Sequence, residues 1–253
     1  MKFMMCTIFS ILLFSGEGVA GTVSTLRDVG FSADGRYFSF TTTENDGMSD
    51  ISCRTTTFIN TVRNEWVGRP YRVCRYGGGE YSGVELRKRQ RQSADARSEI
   101  KRLTNKLKID VNNDGKRVVY REAFRYWKNS GSADAEFSKK GESITFSIDN
   151  NNRYRLQLSK KTVSSKKCEG MMFNHPPAVM SLHMRNLQTD KSTALQVDRG
   201  IPTTRGCPYH YRIQNVYTHQ HGSRRVVVAL LQYFSPSIEG PDERYLAVSG
   251  QLN

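Results

Sequence analysis

The sequence predicts a mainly β protein, built from antiparallel hairpins into a β-sandwich or truncated propeller-like fold, with one amphipathic basic helix inserted. Three observations carry that expectation. Apolar and polar residues alternate with a period of two in several stretches, as at Ile144, Phe146 and Ile148. Clusters of Asn, Asp, Gly and Pro separate those stretches. Over residues 87–108 the period changes: Ala96, Ile100, Leu103 and Leu107 recur at helical spacing among nine basic side chains and two acids. The 253 residues are 37% hydrophobic, 10% aromatic and 25% charged, with 20 Gly and 7 Pro, which excludes collagen-like, low-complexity and wholly disordered classes.

The elements follow in order. Residues 31–67 read as hairpins, with a polar turn at Glu44, Asn45, Asp46 and Gly47. Arg69-Pro70 and the glycines at 77, 78 and 79 interrupt them. A helix is expected over about 85–108, within a helical basic insert at about 81–128, and residues 110–115 (DVNNDG) read as a turn after it. Tyr120, Phe124, Tyr126 and Trp127 form an aromatic run of undetermined class, and residues 128–141 read as a polar connection. Hairpins return at 144–158 and 179–197. The C-terminal part is expected to contain a strand over 211–217, a loop over 219–225, an apolar strand over 226–234, a turn over 235–243 and a last strand over 244–251.

Residues 1–20 have the form of a secretory signal peptide. Lys2 gives a positive start, residues 3–14 are apolar, and Gly18, Val19 and Ala20 are small, as a cleavage site requires. The apolar run is shorter than the ~20 residues of a membrane span, so the mature chain is expected to have no transmembrane segment. Its 233 residues (21–253) read as a single β-rich domain in the periplasm or outside a bacterial cell. With Cys6 removed, Cys53, Cys74, Cys168 and Cys207 remain, an even number suited to disulfides in an oxidising compartment. Three connectivities are open. Cys53 with Cys74 and Cys168 with Cys207 is preferred, because each pair brackets a run of neighbouring strands. Zinc is the rival, but the close CxxC spacings it favours are absent.

Two segments share a frame of Asp, turn residue, Arg and Tyr before a strand: residues 32–39 (SADGRYFS) and 240–247 (GPDERYLA). They resemble the PDGRYLAF signature of Tol-type β-propeller blades, which implies a tight turn closed by the Asp. Across residues 30–40, 198–211 and 234–248 the chain also resembles an uncharacterised bacterial family of predicted secreted proteins, a domain of unknown function. That resemblance implies export and assigns no reaction.

Lys and Arg number 38 against 24 Asp and Glu, a net charge of +14, and half of that excess lies in residues 87–108. The function expected is therefore an exported binding or interaction protein that contacts an anionic envelope component through Arg87, Lys88, Arg89, Arg91, Lys101 and Arg102. The partner classes are a lipid headgroup, lipopolysaccharide or a cell-wall polymer, with nucleic acid ranked below them. The alternative is an exported hydrolase or metal-dependent enzyme with its site in the C-terminal third, which holds all five histidines. His219 and His221, on one side of an extended chain, are its candidate ligands, opposed by the nearby charges of Arg224 and Arg225. No GxSxG, HExxH or P-loop motif is present, and no cofactor is expected. Asp110, Asn112 and Asp114 open like a calcium loop, but Arg121 stands where the bidentate Glu belongs, which favours a simple turn. Glu239 and Asp242 read as turn residues rather than an acid/base pair, and Arg205 as a partner for an acid.

Overall fold

The computed structural model of the chain describes residues 21–45, 51–77, 81–169, 175–237 and 240–252. The expected signal peptide, the glycines at 78 and 79, and Glu239 lie outside them.

The first layer is an antiparallel meander of β1 (Val23–Ser32), β2 (Tyr37–Asn45), β3 (Ser52–Asn60) and β5 (Tyr71–Arg75), with the two-residue β4 (Glu65–Trp66) also paired to β3. Its first turn is specified locally. Asp34 Oδ1 accepts the Ser32 hydroxyl at 2.7 Å and the Arg36 N–H at 3.1 Å, while Gly35 takes φ 68°, which glycine adopts without strain. Cys53 and Cys74 face each other across β3 and β5 and are joined.

The helix α1 runs over Gly83–Lys106, close to expectation, and ends where Lys108 turns left-handed at φ 52°. The rest of the expected helical insert is not helical. It forms β6 (Ile109–Asp110), paired with β1, and β7 (Lys116–Tyr120), paired with β12 (His210–His221), because Val118 and Val119 pack onto the C-terminal core. The 110–115 turn is borne out, with Asp110 Oδ1 accepting the Asn112 N–H at 2.8 Å. Where a polar connection was expected, α2 (Ser130–Ser138) forms instead. Ala133 and Phe137, one turn apart, anchor it among Phe124, Tyr126, Tyr209 and Phe234. The three apolar residues of α2, Ala133, Ala135 and Phe137, are spaced by two, so no helical period could be read from sequence.

β8 (Gly141–Ser147), β9 (Arg153–Thr162), β10 (Ala178–Asn186) and β11 (Ser192–Val197) form a second antiparallel meander, as both hairpin expectations required. β12 continues into β13 (Arg224–Ser237) and β14 (Gly240–Gln251). These strands are longer than the sequence suggested. Pairing extends to His221↔Arg224 and to Ser237↔Gly240, so the expected loop over 219–225 shrinks to Gly222 and Ser223, and strand occupies 235–237 and 240–243 where a turn was expected. Pairing satisfies the backbone there whatever the side chains, so polar residues did not have to end the strands.

β1 and β14 meet through a single parallel pair, Val23↔Glu243. Phe38 on β2 and Tyr217 on β12 lie four strand spacings apart along the sheet, about 19 Å if it were flat, yet their rings are 6.0 Å apart. The sheet therefore folds back at the β1/β14 junction. Three antiparallel layers stack in a sandwich-like arrangement: β1 to β5, then β12 to β14 with β7, then β8 to β11. The middle layer is covered on both faces. Val226, Val228 and Leu230 pack with Phe31, Phe38 and Phe40, while Val227, Ala229 and Leu231 pack with Leu156, Leu158 and Leu182. This is why 226–234 is an apolar run rather than an alternating one. The second disulfide, Cys168–Cys207, ties the turn at Lys166–Cys168 to the approach to β12, so the preferred connectivity holds for both pairs.

Glu243, fully buried on β14, accepts hydrogen bonds from Arg125 Nη1 and the Tyr126 N–H, each at 2.8 Å. Burial pushes its carboxyl above the ordinary range, and these bonds oppose the shift. The pair fixes the aromatic segment 124–127 to the middle layer.

Candidate functional site

Strand alternation determines what the first layer shows to solvent. Phe38, Phe40 and Thr42 point toward the middle layer, so Ser39, Thr41 and Thr43 point away from it. On β3 the outward positions are Ser52, Arg54 and Thr56, and the register sets Thr43 opposite Arg54 and Thr41 opposite Thr56. The two threonine hydroxyls of the latter pair are 3.0 Å apart. Ser52 in turn lies opposite Arg75 on β5. A register shift in β1 between Leu26 and Val29 marks a bulge that carries Arg27 and Asp28.

α1 crosses this outer face. Leu103 and Leu107 are buried against Phe58 and Ile109, and Ser93 Oγ accepts the Cys74 N–H at 3.2 Å, holding the helix beside the first disulfide. A groove of about 880 Å³ remains between helix and sheet. Arg27, Arg54, Arg75 and Arg97 line it, with Ile100 at its base and Asp28 as its one carboxylate. Among the described residues none of the four arginines forms an ion pair. Thr43 Oγ1, buried at the same wall, has no hydrogen-bond partner among the described residues. Four planar donor forks around hydroxyl groups can hold phosphate or carboxylate oxygens in paired hydrogen bonds.

The helical residues singled out by sequence divide into two groups. Arg87, Lys88, Arg91 and Lys101 are exposed, and Lys101 lies one turn beyond Arg97, extending the basic edge of the groove. Arg89 is engaged with Glu85 at 2.8 Å and lies 4.2 Å over the Tyr81 ring, while Arg102 holds Glu99 at 2.7 Å. The hydrogen bond from Arg102 keeps the Glu99 carboxyl below its ordinary value. Sequence reasoning missed Arg27, Arg54 and Arg75. Each is an isolated basic residue in a strand, and its only signal was its outward place in the alternation.

His219 and His221 lie in β12, not in a loop. The His219 ring stacks on Phe31 with centroids 5.0 Å apart, its Nε2 is 3.3 Å from Asn113 Nδ2, and burial lowers its pKa. Their neighbours across the hairpin are Arg225, opposite Gln220, and Arg224, opposite His221. Among the described residues no three His, Cys, Asp or Glu side chains gather as a metal site would require. Arg205 pairs with Asp198 at 2.5 Å, and Asp242 accepts the Thr22 N–H at 3.0 Å from within β14.

Residues 49–251 match the family described as "Predicted secreted protein (DUF2259)". No curated protein matches the chain. No helix among the described residues is long and apolar enough to cross a membrane.

Proposed function

We propose that this chain, which belongs to the DUF2259 family of predicted secreted proteins, is an exported binding protein that takes an anionic envelope component into the groove between α1 and the first layer. Two disulfides fit its extracytoplasmic location. One observation carries the reading: four arginines surround the groove with a single carboxylate among them, and among the described residues none is held by an acid. Unpaired guanidinium groups at a groove keep their full attraction for an external anion, whereas paired ones have already spent it. The exposed Arg87, Lys88, Arg91 and Lys101 widen the positive field and steer a polymer or a lipid surface toward the groove.

Co-sedimentation of the oxidised protein with anionic and neutral vesicles, and with anionic cell-wall polymer, tests this across a salt series. Retention should be confined to anionic material and should fall steeply with salt. The triple replacement Arg54→Gln, Arg75→Gln, Arg97→Gln should reduce retention more than the replacement of Arg87, Lys88 and Arg91 together. Equal retention on neutral and anionic material overturns the proposal.

A further inference from the structure

We infer that the cleft between the first and middle layers is a second binding site, for a neutral oligosaccharide. The cleft, of about 780 Å³, opens where the inner face of β2 and β3 diverges from β14, beneath the turn at Thr203–Arg205. Its floor continues the core stripe. Phe40 and Ile59 end the apolar packing, and beyond them the same inner faces turn polar, with Thr42 and Glu44 on β2 and Thr57 and Thr55 on β3. A stripe that changes from apolar to hydroxyl-bearing while still facing inward builds a lined hollow rather than a core.

Charge pairing disfavours a strongly anionic ligand. Three arginines reach the cleft, and each holds a carboxylate: Arg72 with Glu44 at 3.2 Å, Arg205 with Asp198 at 2.5 Å, and Arg244 with Asp242 at 2.9 Å. Arg72 and Glu44 present donor and acceptor side by side at the cleft, and the acids behind Arg205 and Arg244 offset their charge, which suits vicinal hydroxyls. Ser24, only 1% exposed, lines the same cleft, and among the described residues its Oγ, Thr55 Oγ1 and Arg244 Nε are buried without a hydrogen-bond partner. Such groups are penalised in the free protein, and ligand hydroxyls would relieve them.

Trp66 stands at the lip, 41% exposed, on the short β4. An indole half in water beside a polar cleft offers a flat apolar surface for the C–H face of a sugar ring. The lip is fixed in place by Asn64, whose Nδ2 donates to Leu195 O at 3.0 Å and Gln196 Oε1 at 3.1 Å, and whose Oδ1 accepts the Ser249 N–H at 2.8 Å. That clip joins all three layers, so the site is formed before any ligand arrives. This cleft shares no lining residue with the groove under α1.

Isothermal titration of the oxidised protein with maltotriose, cellotriose and chitotriose tests the inference, with inorganic phosphate as the charged contrast. At least one trisaccharide should bind saturably below about 10 mM. Trp66→Ala should weaken that binding by about tenfold or more, with the melting temperature unchanged because the side chain is exposed. Thr55→Val should weaken it several-fold, and Arg54→Gln, in the other hollow, should leave it unaltered. Failure of all three saccharides, equal affinity in both cleft variants, or displacement of the sugar by phosphate overturns the inference. Since the groove variants report on a separate site, failure here leaves the anionic reading standing, and the reverse also holds.

Discussion

In the groove under α1, Arg27, Arg54, Arg75 and Arg97 stand without an ion-pair partner among the described residues, whereas in the cleft between the layers Arg72, Arg205 and Arg244 each hold a carboxylate. The same side chain serves opposite ends in the two places. Unpaired and exposed, it attracts an external anion at little cost to folding. Paired and partly buried, as in Arg205 at 13% exposure against Asp198 at 2%, it becomes a neutral, fixed polar surface. A net charge of +14 therefore says little about where an anion would bind, since what matters is which arginines the fold leaves without acids.

The largest effect that can break this contrast is on stability. Asp198→Asn removes the counter-charge of the Arg205 guanidinium and leaves one amide oxygen to serve both Arg205 and Gln196 Nε2, which the carboxylate accepts from at 2.7 Å, so urea unfolding should show a loss of about 3 kcal/mol. Arg54→Gln should change stability by less than about 0.5 kcal/mol. Comparable losses in the two variants would show that the arginines of the two hollows are not energetically distinct. Next in size is binding: the triple Gln variant of Arg54, Arg75 and Arg97 should lower affinity for anionic vesicles by more than about tenfold at low salt and flatten its salt dependence. Arg72→Gln in the cleft should do neither.

Hydroxyl groups give a smaller test. Thr55→Val removes an unpartnered buried hydroxyl and should leave stability unchanged or raise it by up to about 1 kcal/mol, whereas Thr56→Val breaks the 3.0 Å pair with Thr41 and should cost about 1 kcal/mol. In thermal melts only the Thr56→Val variant should lose stability if the cleft keeps polar groups for a ligand. A control for both hollows lies outside them. His210, its Nε2 3.5 Å from Glu136 Oε1, holds the Glu136 carboxyl down at about 2, with Lys139 adding to the effect. Its contribution to stability is thus complete above the ordinary 4.5 and is lost as the pH falls from there through about 2. Glu136→Gln should flatten that acid limb in a pH series of melts while leaving vesicle and saccharide binding at neutral pH unchanged.

The limits of sequence reading show in particular residues. The hairpins at 144–158 and 179–197 were legible because one face of each strand is buried and the other is not, which writes the fold into the alternation. α2 was not legible, since Ala133 and Phe137 acquire their role from Tyr209 and Phe234, more than seventy residues away. Polar residues around His219 and His221 suggest a loop, yet pairing with β13 keeps both in strand as far as His221↔Arg224. The helical arginines were visible as a charge run, whereas Arg27, Arg54 and Arg75 are scattered through the strands and became a cluster only on folding.

By itself the sequence determined the β class, the basic helix and the hairpins, because each depends on local periodicity or on turn chemistry, whereas it left three cysteine connectivities open. The tertiary structure alone decided that the larger sheet folds back at Val23↔Glu243, that the middle layer is buried on both faces, and which arginines meet an acid. Those outcomes depend on contacts between distant segments, such as Arg125 with Glu243 and Asn64 with Ser249, which leave no periodic signal in the chain.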